Sequence, residues 1–90
     1  MGKLRTAIDR AKRQLSDLER ARKRIFEEQK RIRNNMNRVR AKTDLHRRYV
    51  AKLDSQETEL EKLESRYESS RKAVRAAQEE LGTYVSNLNL

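Results

Sequence analysis

Few side chains in this 90-residue sequence are of a type that does chemistry, and their spacing points away from catalysis. His46 is the single histidine and there is no cysteine, so a zinc site would have to be built from carboxylates, and disulfides are impossible. Ser69 and Ser70 have no histidine base within reach, which removes a hydrolase constellation. Asp54, Glu57, Glu59, Glu61, Glu64 and Glu68 recur at helix-surface spacing, the pattern of an ion-pair face rather than of paired catalytic acids. No glycine-rich loop exists to cradle a phosphate. The expectation is a protein with no catalytic residues, no metal and no cofactor.

One charged feature could still bind something. From Lys30 to Lys52 the basic residues Lys30, Arg31, Arg33, Arg38, Arg40, Lys42, Arg47, Arg48 and Lys52 face a single acid, Asp44. Such a cluster can grip a phosphate backbone electrostatically, and Arg33, Arg38, Arg40, Lys42, Arg47 and Arg48 are the candidate contacts. Little is present to stack on bases, so base-specific readout is not expected. The plainer reading of the same residues is a solvated face that keeps a rod soluble.

The elements that position these residues follow from hydrophobic periodicity. The residues Leu4, Ile8, Ala11, Leu15, Leu18, Arg22, Ile25, Gln29, Ile32, Met36 and Val39 are separated by alternating steps of four and three, the 3.5-residue period of a coiled-coil seam. A second seam runs through His46, Tyr49, Leu53, Gln56, Leu60, Leu63, Tyr67, Ser70, Val74, Ala77, Leu81, Tyr84 and Leu88. Charged residues make up 41% of the chain, a level that fits disorder, but a disordered polyampholyte would not hold two such seams. No run of apolar residues approaches the roughly 20 needed to span a membrane. A basic helix lying on an anionic membrane is disfavoured by the narrow seams and the absence of tryptophan, so no membrane partner is expected.

The registers of the two seams do not join across residues 40–44, which predicts a turn. Thr43 is placed to cap a second helix and Asp44 suits the positive end of its dipole. The predicted fold is all-α: a single long antiparallel two-helix coiled-coil hairpin, with helix 1 over about 3–40, the turn at about 41–44, helix 2 from about 44 to 81 or further, and an apolar tail to 90. Each arm would be roughly 57 Å long at about 1.5 Å per residue. Folding at the turn sets Met36 opposite Tyr49, Ile32 opposite Leu53, Ile25 opposite Leu60, Leu18 opposite Tyr67, Ala11 opposite Val74 and Leu4 opposite Leu81. The same alignment sets Gln29 opposite Gln56, where two amides could exchange hydrogen bonds and hold the register. Leu60→Ala should cost about 2–5 kcal/mol as a buried seam position, and an unchanged melting temperature would refute that placement.

Charge supports antiparallel pairing. Residues 1–41 carry 14 Lys/Arg and 5 Asp/Glu, a net of +9, whereas residues 42–90 carry 9 of each. The acidic stretch named above is set beside Arg20, Arg22, Lys23, Arg24, Lys30 and Arg31, although exposed pairs contribute only about 0–1 kcal/mol each. Phe26, Val50 and Val85 flank the seams and widen the apolar stripe, enough for two hairpins to pair as a four-helix bundle or for one to dock on a neighbouring domain. Against close dimerisation, Arg5, Lys12, Arg33 and Arg40 lie on the same flank and would repel.

The runs EEQKRIRNNMNRV (Glu27–Val39) and RRYVAKLDSQETELEKL (Arg47–Leu63), with the ending LGTYVSNLNL, resemble the C-terminal helical region of a bacterial domain-of-unknown-function family that includes mucoidy-inhibitor-like proteins. The family pattern maps onto Glu28, Gln29, Arg31, Ile32, Arg33 and Asn35, then Arg48, Tyr49, Leu53, Gln56 and Glu57. The resemblance implies a coiled-coil hairpin cut from a larger protein with β-rich parts, and no catalytic residues. The opening Met1-Gly2 fits an excised segment. The expected function is therefore structural: a rigid spacer or association module whose partners are a second copy or adjacent domains of a parent protein. The alternative is a nonspecific nucleic-acid-binding arm using the basic tip. Composition and spacing leave the cellular compartment open.

Overall fold

Absence of proline and a 3.5-residue apolar repeat leave the chain little choice but long helices. The computed structural model describes residues 2–88 and contains two: α1, Gly2–Met36, and α2, Asp44–Leu88. They pack antiparallel as a hairpin. Every seam position expected from Leu4 to Val39 and from His46 to Leu81 is buried or half-buried. Within α2 no other residue is, so burial follows the a and d positions alone. Ile8, Ile32, Leu60 and Val74 form the buried apolar core, with Ile32 wholly inaccessible to solvent.

The ends differ from expectation. α1 stops at Met36, four residues before the expected boundary at 40. Asn34, Asn35 and Asn37 weaken the helix here, because their side chains compete for backbone hydrogen bonds. The chain leaves through a bond from the Asn37 amide to the Arg33 carbonyl (3.1 Å), followed by tighter turns from Arg38 to Asn35 and from Val39 to Met36, both 3.1 Å. At the other end α2 runs through Gly82 to Leu88, with no break at the glycine. The seam does not follow it: Tyr84 and Leu88, expected as seam positions, are exposed. On the facing pairs above, Gly2 stands level with Thr83, so Tyr84 and Leu88 lie beyond the described part of α1. Leu90, the last residue of the expected apolar tail, lies outside the described residues.

The hairpin divides into two compact units. The tip unit, Arg20–Glu64, holds the turn, the Gln29–Gln56 layer and most of the surplus charge. The other unit joins the chain up to Glu19 to the chain from Ser65 onward. In it, Tyr67 Oη donates to Glu19 Oε1 at 2.9 Å, and Ile8 and Leu81 border a shallow groove with Arg5, Asp9, Lys12 and Gln78. Tyr67 thus meets the neighbour of Leu18, its expected opposite.

Candidate functional site

The turn that carries the basic cluster is a tightly bonded piece of structure. Lys42 adopts a left-handed backbone conformation (φ 68°), which reverses the chain just before the second helix. Thr43 Oγ1 accepts from the His46 amide at 3.2 Å, the bond of an N-cap residue, and its hydroxyl donates to the Arg40 carbonyl at 2.8 Å. Asp44 opens α2 at the positive end of its dipole. Arg47 braces the turn: one guanidinium nitrogen lies 3.0 Å from Asp44 Oδ1 and the other donates to the Lys42 carbonyl, also at 3.0 Å.

These bonds sort the expected phosphate contacts. Arg47 is engaged in holding the turn. Arg33 occupies the last turn of α1, where a cation complements the helix dipole. Arg31 and Lys52 both reach Glu28 Oε1, at 3.6 and 2.6 Å. Among the described residues, Lys30, Arg33, Arg38, Arg40, Lys42 and Arg48 form no ion pair, and all six are exposed. The tip thus keeps a real cationic surplus after its internal pairs are counted. His46 is half-buried in the first turn of α2, and no group of acidic residues and histidine is placed to hold a metal among the described residues.

The glutamine layer is arranged otherwise than expected. Gln29 and Gln56 are both in the core, 1% and 7% exposed. They do not exchange hydrogen bonds. Gln29 Nε2 donates instead to Glu57 Oε1 at 2.8 Å, and the Oε1 atoms of Gln29 and Gln56 have no partner. A charged carboxylate is a stronger acceptor than a neutral amide oxygen, and Glu57, one residue beyond Gln56 on the exposed flank, can reach the Gln29 amide N–H without losing its own hydration.

No protein-family model, curated protein or solved structure matches the chain. The likeness to mucoidy-inhibitor-like proteins thus rests on the quoted residues alone, and what stands is a two-helix hairpin without an identified family.

One cross-arm salt bridge in the tip unit was not expected and has the opposite polarity to the expected pairs, with the acid, Glu28, on α1 and the base, Lys52, on α2. The Lys52 hydrogen bond, and after it the Lys52 charge, holds the Glu28 carboxyl below its ordinary pKa. Sequence reading missed this pair, although both residues occupy the g position that faces its counterpart in an antiparallel coil, and that spacing would have found it. The flanking apolar residues Phe26 and Val50 are 50% and 47% exposed. On the register above they stand about 13 Å apart along the tip, two separate spots rather than one patch. No helix among the described residues is long and apolar enough to cross a membrane.

Proposed function

We propose that the chain is a structural coiled-coil hairpin, a rigid spacer or protein-association element without catalytic activity. The observation that carries this reading is the unbroken seam: the positions from Leu4 to Val39 and from His46 to Leu81 all turn inward, and a capped, braced turn joins them. The likeness to the C-terminal helical region of the mucoidy-inhibitor-like family fits the same role, with adjacent domains of a larger protein or a second copy as the partners.

The reading requires that the hairpin hold together by itself. Helical circular dichroism should be lost in one cooperative thermal transition, and a broad, non-cooperative loss of helix would overturn it.

A second reading is favoured by the six exposed tip cations without ion pairs, which form a surface for nonspecific binding of nucleic acid. Binding to short RNA and DNA duplexes separates the two. The matched variant replaces Arg33, Arg38, Arg40 and Arg48 by glutamine and leaves Arg47 to hold the turn. A spacer binds weakly and lets go by about 0.15 M salt. Sub-micromolar binding that persists at that salt and disappears in the variant would establish the nucleic-acid arm.

A further inference from the structure

The tip unit, Arg20–Glu64, holds two aromatic side chains, Phe26 and Tyr49, in unlike settings. Tyr49 is half-buried in the seam, whereas Phe26, on the flank of α1, is 50% exposed. The company of Phe26 is cationic. Lys23 lies three residues before it, and Lys30 and Arg33 lie four and seven after it, the spacings that share one face of a helix. A line of about 15 Å therefore runs from Lys23 past the ring to Arg33, leading toward the unpaired cations of the turn. All three of these side chains are exposed and, among the described residues, none forms an ion pair. The acids close by in sequence or register are turned away or engaged. Glu27 is rotated about 100° around the helix from the ring, and Glu57, across the seam, accepts the Gln29 amide N–H.

We propose that this line is a binding site for single-stranded nucleic acid, with phosphates along the cations and one base stacked on Phe26. The inference rests on the nucleic-acid reading above and narrows it to one form of ligand and one stacking contact. A duplex can use the cations, but its base faces are already stacked inside it and the ring adds nothing. A single strand offers both groups, a polyanionic backbone and an open π-face, and stacking on an aromatic ring tolerates any base. Base-specific readout is therefore still not expected. A protein partner fits this surface less well. The centre of a protein interface is depleted in charge and built from contiguous apolar side chains. Here a single ring stands among unpaired cations, and Val50, the exposed apolar side chain on the facing flank, is about 13 Å away along the hairpin.

The test compares the affinity of the whole chain for oligo(dT) and oligo(U) of about 12 nucleotides with that for a duplex of the same length, at about 0.05 M salt. Phe26→Leu keeps an apolar side chain at a half-exposed site, so the melting curve should not move. It should weaken binding of both single strands about tenfold and leave duplex binding unchanged. Phe26→Trp should bind the single strands at least as well as wild type. The chain has no tryptophan of its own, so quenching of that emission by oligo(dT), and not by the duplex, reports a base on the ring. Lys23→Gln with Lys30→Gln should weaken single strands and duplex alike. Equal single-strand binding by wild type and Phe26→Leu, equal quenching by the duplex, or no effect of the lysine pair would each overturn the proposal. If the duplex still binds in any of these cases and the tip-glutamine variant loses it, the nucleic-acid reading survives without the stacking site. Binding of neither strand nor duplex removes both. Phe26-dependent binding of poly-glutamate, a polyanion without bases, would overturn the site in favour of an acidic protein.

Discussion

At the residue scale the most consequential side chains are two amides in an otherwise apolar seam. The buried oxygens of Gln29 and Gln56 accept no hydrogen bond, and an unsatisfied buried acceptor costs about 1–3 kcal/mol. Replacing both with leucine should therefore raise the unfolding free energy by about 1–3 kcal/mol in urea titration, after allowing for the lost Gln29–Glu57 bond. The gain should come with less certainty of register, seen as extra amide resonances, because a seam of leucines can slide and a polar layer resists sliding. A variant no more stable than the parent would show that the oxygens are satisfied in solution. Glu28 makes a second prediction. Its carboxyl is held below the ordinary value by Lys52, so its contribution is complete above the unfolded glutamate pKa and is lost as pH falls through the lower folded value. The stability gap between the parent and Glu28→Gln should thus be open at neutral pH and close in acid. A gap independent of pH would mean that the ion pair contributes nothing.

At the scale of elements, the ends of the helices carry the specific chemistry. Thr43 caps α2, and Thr43→Ala should cost about 1 kcal/mol (range about 0.5–2) with α2 fraying first, measurable as faster amide exchange near His46. Gly82 has the opposite sign. It lies within α2, where a Cβ would meet nothing within 4 Å, so Gly82→Ala should stabilise the end of α2 by about 0.5–1 kcal/mol, seen as added helicity. Equal or lower helicity would place the end of α2 at the glycine. The turn shows how much of a coiled-coil hairpin's individuality sits in a few residues: a left-handed Lys42, the threonine cap, and an arginine that ties the carbonyl before the cap to the carboxylate after it.

For the whole molecule, charge sets the terms. The tip unit, Arg20–Glu64, carries 14 basic and 8 acidic residues, a net of +6 of the chain's +9. Packing must therefore overcome self-repulsion that is strongest near the turn. Screening should help: between about 0.01 M and about 0.15 M salt the melting temperature should rise, by about 4–8 °C for each 1 kcal/mol of repulsion removed. A fall would mean that attractive pairs such as Glu28–Lys52 outweigh the like charges.

Much of this protein is written in its periodicity. Helix, seam, turn region and facing register depend on the spacing of apolar residues along the chain and on the point where the two registers fail to join, and these are local quantities. Burial of Gln29 and Gln56 follows from the same spacing. What each buried group bonds to does not. Glu57 rather than Gln56 takes the Gln29 amide N–H, and Lys52 takes Glu28, because side-chain reach across the seam depends on where the second arm stands. The end of α1 at Met36 was only half legible, since three asparagines lower helix propensity without saying at which of them the last hydrogen bond is made. The seam of α2 reads as continuous to Leu88, yet burial stops at Leu81. Periodicity says which face of a helix is apolar; only the placement of the other helix decides how much of that face is covered.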